Sequence, residues 1–191
     1  MARIAVDMDE VIADALDEHI NRYNALFDRD LNRQAVWGRS LRDVIPVEHH
    51  RAAEALVHTE DFFTDLKVMP GAQAVLERLK QRHEIFITTA AMEVPKSFTA
   101  KYHWLIRHFP FISPMNFVFC GNKGIIAADF LIDDNARHFK HFKGEGILFD
   151  ASHNQRITGY RRVKDWYEVE TLFASDDVAN AGSQTLGCAV K

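Results

Sequence analysis

The chain has few cysteines, no long apolar run near its start and no excess of positive charge, and each absence excludes a class of protein. Its two cysteines, Cys120 and Cys188, lie far apart and form no CxxC motif, so a disulfide framework is not expected. The apolar run Ile4–Val6 is too short for a signal peptide or a membrane span. We therefore expect a soluble, cytoplasmic protein that has no membrane partner.

The net charge is slightly negative. The 191 residues include 23 basic and 27 acidic side chains, a formal charge of −4, and the pI is about 6.2. Proteins that bind a nucleic-acid backbone carry an excess of positive charge, so the composition argues against a nucleic-acid partner. A nucleotide as a small substrate remains open. This length is typical of a single domain whose core needs no disulfide or metal for stability.

Five short apolar runs are each followed at once by polar or acidic residues, a form typical of buried strands in a parallel sheet. The runs are Ile4–Val6 before Asp7, Ile85–Ile87 before Thr88, Phe117–Phe119 before Cys120, Phe130–Ile132 before Asp133, and Gly146–Phe149 before Asp150. Helical patterns over 74–79, 98–106 and 136–142 alternate with them. The alternation predicts an α/β fold with a Rossmann-like, doubly wound parallel sheet, whose ligands bind beyond the carboxyl ends of the strands.

The interval after the first strand breaks this alternation. It contains only helical stretches, such as Leu16–Phe27 and His49–Val57, and no convincing strand. We expect residues 15–69 to form a small helical cap inserted after the first strand. The α/β core would then comprise residues 1–14 and 70–173.

Other features of the sequence have structural interpretations. Residues 174–191 are rich in alanine, glycine and serine and have little to bury, so we expect a mobile tail. The ten histidines form no HExxH motif, and all of them, including His138 and His141, are interpreted as surface or packing residues. The basic stretch 160–164 is interpreted as a solvated surface.

Carboxylates, a hydroxyl and a lysine converge on the predicted ligand-binding edge. Asp7 and Asp9 follow the first strand, Thr89 the second, and Asp133-Asp134 a later one, with Lys123 shortly before. Because clustered carboxylates repel one another, a hard divalent cation is their usual partner, and Mg²⁺, which prefers oxygen ligands, suits this set. Such a site could transfer a phosphoryl group to a carboxylate while the cation and the lysine neutralise oxyanion charge.

Each of these residues also has a simpler interpretation. The DxD sequence Asp7–Asp9 could be a solvated turn or a helix N-cap, and Asp133–Asn135 could cap the helix predicted from Ala136. Thr89 could be an ordinary strand residue and Lys123 a surface charge. The occurrence of four such pieces in order, each after a predicted strand, favours the phosphoryl-transfer interpretation.

The same motifs resemble those of a known family. Asp7–Asp14, Thr89, Lys123 and Asp133-Asp134 are similar to the four motifs of the haloacid dehalogenase (HAD) superfamily of phosphatases. Within it, the chain is most similar to the 5′(3′)-deoxyribonucleotidases. The segments that carry this second resemblance are Asp7–Asp14, Asp61–Phe63, Met69–Ala72, Lys101–Trp104 and Lys123–Asp134. The resemblance implies a HAD-like fold, Mg²⁺ as cofactor and hydrolysis of (deoxy)nucleoside monophosphates through an aspartyl-phosphate, and it is compatible with a homodimer.

The resemblance also implies catalytic and metal-binding roles for matching residues. Asp7 would attack the phosphorus. Asp9 would protonate the leaving alcohol and later activate the water that hydrolyses the aspartyl-phosphate. Mg²⁺ would be held by Asp7, the backbone carbonyl of Asp9 and Asp133, with Asp134 supporting it through water.

Further residues are implied to bind the substrate. Thr89, Lys123 and Lys101 would contact phosphoryl oxygens. Trp37 and Phe63 would be the aromatic residues of the cap that meet the base or sugar.

The chain departs from the family pattern at four positions. Glu10 stands where glycine is common, which is tolerable if this turn residue keeps a negative φ. Ala90 replaces a common serine, Ala15 an aromatic residue and Val57 a tryptophan. A sugar phosphate or another small phosphomonoester is therefore an alternative substrate, and a phospho-accepting signalling domain is the non-enzymatic alternative.

Overall fold

All five apolar runs form strands, and a sixth strand joins them at one edge of a single sheet. The computed structural model describes residues 1–174, in which the strands are β1 (Arg3–Asp7), β2 (Glu84–Thr89), β3 (Phe117–Phe119), β4 (Phe130–Asp133), β5 (Glu145–Phe149) and β6 (Arg161–Val163). All neighbouring strands are parallel and lie in the order β3-β2-β1-β4-β5-β6. The predicted α/β class with a parallel, Rossmann-like sheet is thus confirmed.

The two faces of the sheet are covered differently. The α-helices are α1 (Ala15–Phe27), α2 (His50–Val57), α3 (Ala72–Leu79), α4 (Phe98–His108) and α5 (Trp166–Ala174). Of these, α3, α4 and α5 contribute Val75, Trp104 and Trp166 to one large buried cluster that includes Ile4 and Val6 of β1. The opposite face, with Ala5 and Leu131, is covered by Phe139 and Phe142 instead.

The helix predicted over 136–142 is wrong in extent, because only the 3₁₀ helix Ala136–Phe139 forms. Asn135 caps it by accepting a hydrogen bond from the Arg137 N–H at 3.2 Å. The ring of Phe139 then lies so close to Gly146 that a Cβ there would approach it to 2.4 Å. The chain must turn back into β5 at Glu145, so it has no room for a longer helix.

The strand β6 corrects the interpretation of residues 160–164 as a solvated surface. Its basic side chains lie opposite acidic partners: Arg161 pairs with Glu145 at 3.0 Å, and Arg162 with Asp150 at 2.6 Å. Val163 is buried against the large cluster. An edge strand of this kind has one apolar residue to bury, so its apolar signal in the sequence is weak.

The helices α1 and α2 lie apart from the sheet and share their own apolar cluster. Its buried members are Ile20, Tyr23, Val36, Leu41, Ile45 and Ala53. Two hydrogen bonds join the segments that lead into and out of residues 15–69: the Asp14 N–H donates to the Lys67 carbonyl, and the Met69 N–H to the Ile12 carbonyl, both at 2.9 Å.

Three further predictions concern the C-terminal tail, the cysteines and membrane spans. The helix α5 extends to Ala174, and the tail predicted over 174–191 otherwise lies outside the described residues, as does Cys188. Cys120 is buried and forms no disulfide. Within residues 1–174, no helix has the length and apolar character that crossing a membrane requires.

Candidate active site

Three polar side chains end neighbouring strands. Asp7 is the last residue of β1, Thr89 of β2 and Asp133 of β4. Because β1 is paired with both β2 and β4, the three residues meet at one edge of the sheet. This is the point of a doubly wound sheet at which ligands bind.

An acidic cluster and one lysine form the centre of this edge. Asp7, Asp133 and Asp134 are buried and offer carboxylate oxygens that all lie within 4.8 Å of one another. Nζ of Lys123 donates to Oδ1 of Asp7 and, at 2.6 Å, to Oδ2 of Asp133, and its side chain is fully enclosed. Lys123 is therefore no surface charge, and Asp133 is no helix cap, since Asn135 has that role.

Lys123 alone does not neutralise the three carboxylates, and the shifts of their pKa values reflect this. Burial raises the pKa of Asp7 to about 6 against the opposing effect of Lys123. Burial, and then the charges of Asp7 and Asp133, raise the pKa of Asp134 well above its usual range. Burial alone would also raise the pKa of Asp133, but Lys123 and His138 outweigh it and lower that pKa. A buried set of three carboxylates facing one ammonium group fits a hard divalent cation with oxygen ligands.

Asp9 and Lys101 lie together beside this cluster. Lys101, on α4, is buried; its Nζ donates to Oδ2 of Asp9 and lies 3.0 Å from Oγ1 of Thr89 and 4.3 Å from the centre of the Phe63 ring. The other carboxylate oxygen of Asp9, Oδ1, is buried without a hydrogen-bond partner in the described part of the chain. Lys101 thus holds one oxygen of Asp9 and leaves the other without a partner, as a carboxylate that exchanges a proton requires.

A cavity of about 570 Å³ separates these residues from α1 and α2. Asp7, Asp9 and Lys101 line it from the sheet, and Phe63 lines it as expected. Its other wall is mixed: Leu41, Ile45, Ala53 and Val57 are apolar, whereas Arg39, Arg42 and Glu54 are charged. A cavity of this size and character is typical of small-molecule sites.

The predicted pocket residue Trp37 does not line this cavity. Trp37 follows the 3₁₀ segment Arg33–Val36, whose Val36 is buried, but is itself 50% exposed. Ala15, Val57 and Ala90, which depart from the family pattern, do line the cavity. The small side chains of Ala15 and Val57 leave its walls with less aromatic surface than the resemblance implies.

The condition under which Glu10 would replace glycine without strain, a negative φ, is not met, because this residue has a φ of +58°. A left-handed conformation costs an L-residue roughly 1–2 kcal/mol. The side chain offsets this cost: its carboxylate accepts the Leu16 N–H at 2.6 Å and pairs with Arg33 at 3.2 Å. Arg33 also pairs with Asp14, so it joins the loop after β1 to the segment that follows α1.

Arg33→Ala is expected to lower the free energy of unfolding by about 1.5–3 kcal/mol at pH 8, the range for a hydrogen bond to a charged group. Burial raises the pKa of Glu10 to about 7 although Arg33 opposes it. The folded protein therefore holds the Glu10 proton at pH 5, and the loss should be smaller there, since no buried anion is left unpaired. Urea denaturation at both pH values measures this difference.

Arg42→Ala is the matched control for Arg33. Arg42 pairs with Glu54 at 3.5 Å, and their side chains are 63% and 66% exposed. Such pairs contribute little, so we expect a change below about 0.5 kcal/mol at either pH. An equal loss for Arg33→Ala at pH 5 and pH 8 would show that Glu10 is not the partner that matters.

Two histidines contact the acidic cluster, which corrects their interpretation as surface or packing residues. Nδ1 of His138 lies 2.8 Å from Oδ2 of Asp133, and Nε2 of His153 lies 3.4 Å from Oδ2 of Asp134. His138 follows Asp133 by five residues in a 3₁₀ helix, whereas the sequence pattern predicted an α-helix. The helical spacing of the sequence therefore did not predict that His138 contacts Asp133.

Known proteins of similar fold are HAD hydrolases. The "putative HAD-hydrolase YfnB from Bacillus subtilis bound to magnesium" superimposes with a TM-score of 0.59 at 13% identity, over 91% of this chain and 99% of that one. A "putative beta-phosphoglucomutase from Thermotoga maritima" gives a TM-score of 0.54 at 14% identity, with the same coverage. The fold is therefore HAD-like, as the resemblance implies.

Sequence comparison gives the family. The family described as "5′ nucleotidase, deoxy (Pyrimidine), cytosolic type C protein" matches residues 1–179. A "Putative 5′(3′)-deoxyribonucleotidase" of Staphylococcus aureus is 46% identical over 89% of this chain and 94% of its own length. The "5′(3′)-deoxyribonucleotidase" of Bacillus subtilis is 36% identical over 87% and 95%. The chain belongs to this family of deoxyribonucleotidase-like HAD phosphatases.

Proposed function

We propose that the protein is a Mg²⁺-dependent phosphomonoesterase that hydrolyses (deoxy)nucleoside monophosphates through an aspartyl-phosphate on Asp7. One observation carries the proposal: the buried carboxylates of Asp7, Asp133 and Asp134 cluster beside a single lysine, Lys123, and Asp7 and Asp134 line a large cavity. Family membership makes the chain a phosphatase and argues against the phospho-accepting signalling domain.

The first step forms a bond between a carboxylate oxygen of Asp7 and the phosphorus, while the bond to the leaving alcohol breaks. Lys123 holds Asp7 in place, and its positive charge would stabilise the negative charge of the phosphoryl oxygens. Thr89 and Lys101, 3.0 Å apart, can donate to the same oxygens from the β2 side. Both are buried, so their hydrogen bonds are made in a site with little water.

Asp9 is the proposed general acid and base. In the first step it gives a proton to the leaving alcohol, and in the second it takes one from the water that attacks the aspartyl-phosphate, releasing phosphate and restoring Asp7. Asp9 lines the cavity, and its Oδ1 has no hydrogen-bond partner among residues 1–174, so a small rotation of the carboxylate would present this oxygen to the leaving group. Lys101 restrains the other oxygen and so orients the carboxylate.

Asp7, Asp133, Asp134 and the backbone carbonyl of Asp9 are the groups that would hold Mg²⁺. The first three form the compact oxygen donor set that such an ion prefers. When bound, the cation supplies positive charge that offsets the oxyanions of substrate and carboxylate.

Residues 15–69 are proposed to act as the cap that selects the leaving group. They supply one wall of the cavity, and α1 and α2 pack in a cluster of their own, whereas Phe62, Phe63 and Leu66 belong to the cluster of the sheet. Closure over a substrate would exclude water. The homodimer and the cytoplasmic location remain predictions.

A substrate panel tests the proposed substrate class. We expect kcat/KM for dUMP and dTMP to exceed that for sugar phosphates by at least about tenfold, because the apolar side chains of the cavity wall gain by burying a base. Phosphate release with Mg²⁺ present measures the rates, and ribonucleotides complete the panel. A preference for sugar phosphates would instead support the alternative of a small-phosphomonoester phosphatase.

A further inference from the structure

His138 contacts the metal-site carboxylate Asp133 although it belongs to none of the motifs that identify the site. Its Nδ1 lies 2.8 Å from Oδ2 of Asp133, and its side chain is 10% exposed. The 3₁₀ helix that carries His138 is anchored by Phe139, which packs on Gly146 of β5. The imidazole is therefore held against Asp133 by the packing of the sheet face.

Arg137 determines which ring nitrogen of His138 carries the hydrogen. Its Nε lies 3.1 Å from Nε2 of His138, and because a guanidinium can only donate, Nε2 must accept. The ring hydrogen is thereby assigned to Nδ1, which donates to Asp133. Arg137 is itself paired with Glu93, from the loop after β2, so contacts from two loops orient the imidazole.

The two oxygens of Asp133 are consequently unequal. Oδ2 accepts hydrogen bonds from Lys123 at 2.6 Å and from His138 at 2.8 Å, and these occupy both of its lone pairs. Among the described residues, Oδ1 accepts only the Asn135 N–H, at 2.9 Å, which leaves one of its lone pairs for a further partner. The carboxylate is thus oriented with one particular oxygen available to a further partner.

We propose that His138 is a positioning residue that fixes Asp133 so that Oδ1 is presented to the divalent cation. The inference rests on the proposed function, in which Asp133 helps to hold Mg²⁺. Partners of this kind orient a ligand and prevent it from turning away when the cation is absent. Removing one typically weakens metal binding 10- to 100-fold.

The test compares Mg²⁺ binding by His138→Ala, His138→Asn and the wild-type protein without substrate, using isothermal titration calorimetry. His138→Ala should weaken binding about 10- to 100-fold. His138→Asn should restore most of the affinity, because its amide N–H can take the place of Nδ1–H. With substrate, the loss in His138→Ala should appear as a higher Mg²⁺ requirement, largely overcome at saturating Mg²⁺.

His141→Ala is the matched control. His141 is exposed on the same connection between β4 and β5 and should bind Mg²⁺ like the wild type. Thermal unfolding in EDTA checks that all variants are folded. Wild-type affinity in His138→Ala, or no recovery in folded His138→Asn, would overturn the inference alone. A wild-type protein that does not bind Mg²⁺ would overturn the proposed function as well.

Discussion

Asp7→Asn is expected to lower kcat by at least about 10⁴-fold, on the scale observed when a residue of a covalent catalytic unit is removed. The asparagine has nearly the same size, but its neutral amide cannot attack the phosphorus. Asp7 also belongs to the acidic cluster around Lys123, so the variant should need more Mg²⁺ as well. Initial rates with a nucleoside monophosphate, over a range of Mg²⁺ concentrations, separate the two effects.

Asp65→Asn is the control for Asp7→Asn. The Asp65 side chain is 79% exposed and pairs with the exposed Arg107, outside the cavity. Asp65→Asn should retain the wild-type rate, so a loss confined to Asp7→Asn cannot come from the mutagenesis or the purification. Wild-type turnover by a folded Asp7→Asn protein would refute the assignment of the nucleophile.

Lys123→Met should combine a large loss of activity with a large loss of stability. The substitution leaves two buried carboxylates, on Asp7 and Asp133, without their shared ammonium partner. Breaking a buried ion pair from one side costs about 3–5 kcal/mol. We expect that decrease in the free energy of unfolding in EDTA at pH 8, measured with urea.

Added Mg²⁺ should stabilise Lys123→Met more than it stabilises the wild type. A cation that binds only the folded state shifts the unfolding equilibrium by mass action, and the variant has the greater deficit of positive charge. Lys140→Met, at an exposed lysine of the β4–β5 connection, is the control and should unfold like the wild type. Unchanged stability of Lys123→Met in EDTA would contradict the buried network.

The convergence of the candidate site could be predicted because it follows from sheet geometry alone. Parallel strands present their carboxyl ends at one edge, so residues that end apolar runs must meet if the strands are neighbours. Asp7, Thr89 and Asp133 are of this kind. Their chemical roles stay predictions until the variants are measured.

The remaining features depend on contacts between distant segments, which short-range patterns do not encode. Glu10 adopts its positive φ in a loop where Arg33, 23 residues later, pairs with its carboxylate. His138 reaches Asp133 because Phe139 stops the helix on Gly146. The aromatic residue Trp37 suggested a pocket by its type, but it is half exposed and does not line the cavity.

The complete enclosure of the Lys123 side chain has a consequence for chemical labelling. An amine-reactive reagent modifies a lysine only when its nitrogen is accessible and uncharged, and this Nζ is neither: burial disfavours its charge, but Asp7 and Asp133 outweigh burial and raise its pKa. Exposed lysines such as Lys140 should react while the protein stays folded. The rate at which Lys123 is modified, measured by mass spectrometry, would therefore report how often this edge of the sheet opens and exposes its Nζ.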